Sequence, residues 1–348
     1  MIIMDSWIKE SFEQLGFEYI FKHKDEVLWD DTYNLLKYKS VDYLGSNINY
    51  QIEYQTQNYD VFKDISIIII SENKPIAIWP ISIAYLSDIN SLSSQGGNIL
   101  PPIFIPDCPK KIYKKCLTNV YSVVSNLNKH SSYNSWTSSS IFLNSLSLDE
   151  WHLLCVANNA ECSVHYNLYI DLSMNMENIK SKFRSSYKTK VNRGSELWNI
   201  EVHDSSIKNE IWKEFEKLHL DVAGRVTRSK NSWKIQYENI RKDEGFMVSL
   251  KDNDCLVGAA YISCSQDEGR YDVGAYNRDL FDKPLGHVVQ YAVMEELKSR
   301  NIKFYKIGRR HYQNEEPEPS SKELSISHFK EGFGSYTLPE YILKNNNN

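Results

Sequence analysis

Apolar and polar side chains change period repeatedly along this chain, and the second half is the easier to read. Residues 197 to 203, LWNIEVH, alternate apolar and polar as a half-buried strand does. Ile211, Phe215, Leu218 and Val222 then share one helical face, and Gly224 supplies a stop. A polar loop leads to a second helix in NSWKIQYENIRKD. In GFMVSLKDNDCLVGAAYISC the turn KDND separates two apolar runs and predicts a hairpin. RYDVGAYN, at 270 to 277, predicts another strand. Leu285, Val288, Val289, Ala292, Val293 and Leu297 form the apolar stripe of a strong amphipathic helix. IKFYKIG follows as a strand, SKELSISHFKEGF as a short helix or loop, and YTLPEYIL as a last strand.

The first half carries a fainter version of the same plan. A helical pattern at 5 to 16 precedes the strand FEYIF, and a helix then runs through Leu35 and Leu36. SIIIISENKPIAIWPISI predicts a hairpin with its turn at Glu72 to Lys74. Ile112, Cys116, Val120, Val123 and Val124 place a helix over roughly 110 to 128. SWTSSSIF reads as a strand, LDEWHLLCVANN as a helix and VHYNLYIDL as a strand. The order of elements supports a tandem duplication: an N-terminal domain at 1–165, a C-terminal domain at 166–344, and a disordered tail at 345–348. The class expected is α/β, with mixed α+β sheets.

Composition changes this picture little. With 348 residues, 41% hydrophobic and 24% charged, the chain can bury two cores of ordinary size. A formal charge of −5 excludes a general attraction for nucleic acid but permits a local basic patch. The most apolar run, Ile67 to Ile70, is far below the roughly 20 residues of a membrane span, and no secretory signal is evident, so a cytoplasmic protein is expected. The six cysteines form no CxxC pair and read as reduced thiols. His152, Cys155, Cys162 and His165 cross a helix and a strand rather than a zinc knuckle, and no metal is expected.

The strand and helix order of the second half resembles that of the GNAT acetyltransferase fold, whose splayed central sheet opens a slot for an acyl donor. From about 166 onward the chain also resembles the FemAB family. The likeness rests on the basic helix IKSKFRSSYKTKVNRG behind the strand NLYIDL, and on LVGAAYISCSQDEGRYDVGAYNRD followed by PLGHVVQYAVMEELKSRNIKFYKIG. Its third part is SISHFKEGFGS, which is similar to the family's terminal signature. The resemblance implies a tandem GNAT-like acyltransferase that moves an acyl or aminoacyl group onto an amine in cell-envelope or envelope-polysaccharide assembly. The acceptor implied is a nucleotide- or lipid-linked amino sugar or peptide, joined to its carrier through phosphate, and the donor is either aminoacyl-tRNA or acyl-CoA. The chain lacks the family's coiled-coil insertion and the double-glycine pyrophosphate loop of ordinary acetyltransferases, having only Gly286 in FDKPLGH. Two rivals follow: an acetyl-CoA-dependent N-acetyltransferase acting on an amino sugar, and a non-catalytic binding protein that kept the fold.

Amine acylation needs a proton acceptor, a stabilised oxyanion and two aligned reactants. Lys330 lies in the stretch that resembles the family signature, where the lysine is implied to steady the oxyanion; alternatively it is a solvated lysine beside Glu331. Asp272, Gly274 and Tyr276 fall on one face of an ideal strand, which makes Asp272 and Tyr276 catalytic candidates. Asp272 is either a base or the partner of Arg309 or Arg310. His287 and His328 are candidates for proton transfer or substrate binding, or are structural. Arg225 and Arg228, with Trp233 nearby to stack on a ring, suit an acceptor's phosphates, and Arg309 and Arg310 suit the same cleft. Lys180, Lys182, Arg184, Lys188, Lys190 and Arg193 make a basic helix over 177 to 193, either a solvated face or a contact for tRNA or an anionic acceptor. Gly96 and Gly97 read as a ligand approach or an ordinary loop.

Overall fold

The computed structural model describes residues 2–87, 89–132, 135–141, 149–334 and 336–346. It divides into two compact units, the first made of 1–164 with 339–348 and the second of 165–338. Phe142, Ser335, Asn347 and Asn348, which the sequence reading assigned to a strand, a signature and a tail, lie outside the described residues.

The first unit begins with α1 (Ile2–Glu13), β1 (Glu18–Phe21), α2 (Glu26–Asn34) and α3 (Gly45–Gln55). Next come β2 (Val61–Asp64), β3 (Ile67–Ser71), β4 (Lys74–Trp79), β5 (Ser82–Leu86), β6 (Ile89–Ser93) and β7 (Ile103–Phe104). β3 and β4 form the expected hairpin, with Glu72 and Asn73 both at positive φ, as a two-residue turn between twisted strands requires. β2 and β5 continue the same antiparallel pairing beyond it. The run Ile67 to Ile70 is apolar throughout because its two faces serve two cores. Ile67 and Ile69 pack with α1 and with α4 (Lys110–Lys129), whereas Ile68 and Ile70 pack with Trp29, Tyr33 and Ile48 of α2 and α3. β8 (Ser135–Ile141) and α5 (Glu150–Ala157) complete the unit's own stretch of chain. β9 (Glu161–Asp171) then leads from the first unit into the second.

The second unit continues with α6 (Met176–Ser181), α7 (Ser185–Leu197), β10 (Asn199–His203), α8 (Asn209–Ala223) and α9 (Lys230–Arg241). It closes with β11 (Gly245–Asp252), β12 (Cys255–Cys264), β13 (Glu268–Tyr276), α10 (Leu285–Ser299), β14 (Phe304–Arg310), α11 (Ser321–Glu331) and the start of β15 (Tyr336–Asn346). Its sheet runs β10-β11-β12-β13-β14-β9. Alternation on β12 again feeds two layers: Ala260 and Ile262 face α7 and α10, while Ala259 and Tyr261 face α8 and α9. Gly224 caps α8 at φ 68, as its place after the apolar stripe predicts.

Three expectations need correction. The basic helix at 177–193 is two helices, because Arg184 leaves the helical region (ψ 141) and its N–H donates instead to the Gly332 carbonyl at 2.9 Å. Its inward stripe survives the break, since Ile179, Phe183, Tyr187 and Val191 are all buried. The expected tail is also shorter, because Asn345 and Asn346 belong to β15 and Asn345 is buried. Leu343 is a fully buried member of the first unit's core, and residues 340–346 pair with β8, so the end of the chain belongs to the first unit. Finally, α3, β2 and β6 have no counterpart in the sequence reading; their segments carry no sustained apolar period.

Candidate active site

The parallel strands β13 and β14 pair at three positions only, Glu268 with Phe304, Gly269 with Tyr305 and Arg270 with Lys306. Beyond them each strand keeps its outer partner: β13 follows β12 as far as Tyr276, and β14 follows β9 as far as Arg310. Both ladders shift register where the inner edges part, at Asp272 in β13 and at Ile307 in β14. A bulge bends its strand and sharpens its twist, so two bulges at one level wedge the sheet open.

Lys330, in the last turn of α11, reaches this wedge. Its ammonium lies 5.0 Å from the centre of the Tyr271 ring. Its stem crosses Gly308, where a β-carbon would collide with the lysine Nζ. Gly308 also holds φ 143, a backbone state that glycine alone adopts readily. Lys330 remains partly exposed as a residue, but burial of its ammonium pushes the pKa from 10.5 down to about 8. Among the described residues no carboxylate lies within ion-pair reach of it.

The adjacent carboxylate is engaged elsewhere. Glu331 Oε2 accepts from Arg184 at 3.1 Å, and its Oε1 lies 3.2 Å from Arg310 Nε. This node ties the start of α7 and the end of β14 to α11. The alternative of a solvated lysine beside Glu331 therefore describes neither residue. Beneath Lys330, Tyr271 and Tyr276 share one face, with their hydroxyls 3.2 Å apart. Burial pushes Tyr271 up to about 12 and Tyr276 well above 10, so both are neutral phenols.

Asp272 is not with them. The bulge at Asp272 reverses the strand's parity, so Tyr271, Gly274 and Tyr276 face one way and Asp272 the other. There it accepts from Arg270 Nε at 2.5 Å and from the Ser263 hydroxyl. Its ion-pair partner is thus Arg270 rather than Arg309 or Arg310. Arg309 donates to Glu315 at 2.7 Å, and Arg310 lies over the Tyr312 ring and donates to the His311 carbonyl.

The remaining candidates divide. His287 is wedged edge-on against Tyr187 and Phe329, and burial with nearby Lys190 lowers its pKa to about 4. His328 is exposed and meets Arg184. Arg225 is exposed in the loop between α8 and α9. Arg228 contacts His219 at 3.0 Å and covers the Trp233 ring. Trp233 is only 5% exposed and packs with Val273 and Ala275, so it is a core residue rather than a stacking platform. Arg228 and Trp233 therefore belong to the layer opposite Tyr276.

No family model matches the chain, and no curated protein does. Solved structures do. The structure of FemX is 12% identical, with a TM-score of 0.65 over 93% of this chain and 96% of that one. A C-terminal domain (DUF2156) of a putative lysylphosphatidylglycerol synthetase from Agrobacterium fabrum is 12% identical, with a TM-score of 0.60 over 93% of each chain. A tandem GNAT protein from the clavulanic acid biosynthesis pathway is 11% identical, with a TM-score of 0.53 over 95% of this chain and 99% of that one. The chain has the tandem GNAT fold. The wedge between β13 and β14 is a splay of the central sheet of the kind that the GNAT resemblance implies. Sequence reading singled out neither Tyr271 nor Gly308 around it, and placed Arg184 and Glu331 without showing that they pair with each other. The glycine after the strand KFYKI was the one local signal available, since a strand glycine marks close approach by another group. Among the described residues no helix is long and apolar enough to cross a membrane, and no group of three metal-ligating side chains is assembled.

Proposed function

We propose that this chain is an acyltransferase, moving an acyl or aminoacyl group from an activated ester or thioester onto an amine in the wedge between β13 and β14. The observation that carries this reading is an unpaired ammonium, Lys330, fixed over Tyr271 beside two neutral phenols. As the amine attacks, the carbonyl oxygen becomes an oxyanion. Lys330 and the free O–H of the Tyr271–Tyr276 pair supply the cation and the donor that steady it, and fixed donors of this kind act chiefly on the transition state. Asp272 is held by Arg270 on the other face, so the amine's proton leaves with the departing oxygen or sulfur.

The setting we favour is cell-envelope synthesis inside the cell, with a phosphate-linked amino sugar or peptide as acceptor. Likeness to FemX and to a lysylphosphatidylglycerol synthetase domain supports it, as does the exposed Arg225. Aminoacyl-tRNA and acyl-CoA both remain donors under this reading. The uncapped first turn of α10, where Gly286 lies near Tyr276, favours a donor with phosphates.

Lys330→Met tests the reading. Methionine keeps the apolar stem and removes the charge, so turnover should fall on the order of 100- to 1,000-fold with the acceptor KM little changed. Weaker acceptor binding that worsens with salt would mean a phosphate contact instead. Near-normal turnover by folded protein would end the assignment.

A further inference from the structure

The same amine that steadies an oxyanion can attack the carbonyl itself. We infer that Lys330 is a self-acylation site: an activated acyl ester or thioester that enters the wedge without an acceptor transfers its acyl group to Lys330 Nζ and inactivates the protein. This rests on the reading of the wedge as an acyl-transfer site. In the step, a bond forms between Nζ and the carbonyl carbon, the bond from that carbon to oxygen or sulfur breaks, and the amine's proton goes to the leaving group. The product is a neutral amide, which neither dissociates nor carries the cation.

Three features of the structure meet at this atom. The amine has no carboxylate among the described residues to hold it as an ammonium. On β14 it borders a glycine, so no side chain of Gly308 covers it, and the flanking Arg309 and Arg310 are held by Glu315 and Glu331. On β13 the amine lies 5.0 Å from the centre of the Tyr271 ring, whose hydroxyl meets that of Tyr276 at 3.2 Å and leaves one O–H of the pair to donate to an acyl oxygen. From the other packed elements come Arg184 of the α6–α7 break, Tyr187 of α7, neutral His287 of α10 and exposed His328 of α11; the acid among them, Glu331, is spent on arginines. Burial supplies the neutral form. With its pKa near 8, roughly a quarter of Lys330 is uncharged at pH 7.5, against about a thousandth for an ordinary lysine.

Whole protein incubated at pH 7.5 with p-nitrophenyl acetate, and separately with acetyl-CoA, tests this by peptide mapping over time. Acetylation of Lys330 by p-nitrophenyl acetate on the order of tenfold or more faster than at exposed lysines such as Lys182 and Lys190 is expected, with a pH midpoint near 8. The advantage should vanish in urea, where burial is lost. Acetyl-CoA reports whether a natural class of donor reaches the same atom. Labelling of Lys330 no faster than at the exposed lysines, or an advantage that persists in urea, overturns the inference. Its failure is separable from that of the function. Lost turnover in Lys330→Met with no selective labelling ends self-acylation alone, whereas selective labelling with normal Lys330→Met turnover ends the catalytic reading and keeps the reactive amine.

Discussion

Lys330 shows how far a residue's character can depart from what its neighbours in sequence suggest. Beside Glu331 on a polar helix it would be an ordinary solvated cation; in the fold its carboxylate neighbour is taken by two arginines and its ammonium by an aromatic face. A pH dependence follows. The oxyanion role needs the ammonium, which is present below the folded pKa and lost above it, so turnover should fall through about pH 8 rather than near 10.5. A pH–rate profile with a flat alkaline limb to pH 9.5 would contradict this. Stability carries the opposite sign: between those two values the unfolded chain binds the extra proton, so Lys330 favours the folded state increasingly as pH rises. Gly308 offers a second check. Alanine there is strained at φ 143 and its methyl meets the lysine, so Gly308→Ala should cost about 1–3 kcal/mol and lower turnover beyond the loss of folded protein. Unchanged denaturation midpoint and rate would show that the close approach is not required.

At the scale of elements, two bulges and one ion-pair node shape the wedge. The bulge at Asp272 is invisible to a strict two-residue period, and it moves the aspartate to the opposite face from Tyr276. Asp272→Asn should therefore behave as a structural change. Arg270, nearly as buried as its partner at 13% against 11% exposure, loses its counter-ion, for a cost of roughly 2–4 kcal/mol. Turnover per folded molecule should stay within about twofold. A drop near a thousandfold with an unchanged melting curve would restore Asp272 as a base. Glu331 works differently, since it joins the break between α6 and α7, the end of β14, and α11. Glu331→Gln should cost about 1–3 kcal/mol and leave Arg184 and Arg310 uncompensated near Lys330. The lysine's labelling midpoint should then fall below 8; an unmoved midpoint would make the node a brace with no effect on the amine.

For the whole molecule, the return of residues 339–348 to the first unit is the feature with most consequence. Leu343 is fully buried there and residues 340–346 pair with β8. Truncation after Leu338 should lower hydrogen-exchange protection in β8 and α4 while β11 and β12 keep theirs. Equal loss in both units would mean that they unfold together. The core of the second unit gives a complementary check: Trp233→Ala should cost about 3–5 kcal/mol as a core truncation, without the selective loss of acceptor binding expected of a stacking surface.

The hairpin of 245–264, the helix at 285–299 and the run Ile67–Ile70 were legible because periodicity and turn chemistry are local: two residues at positive φ between apolar runs, or a stripe every third or fourth residue. Their order was enough for the tandem GNAT fold, and the resemblance in SISHFKEGFGS put Lys330 forward as a candidate. Pairing at long range was not legible. The bulges that splay β13 from β14, the choice of Arg270 for Asp272, and the capture of Glu331 by Arg184 from 147 residues away depend on which backbones are brought together. So does the burial that turns Lys330 from a solvated cation into an amine near neutrality. Local sequence sets each residue's conformational options; desolvation and charge pairing select among them only once distant segments have packed.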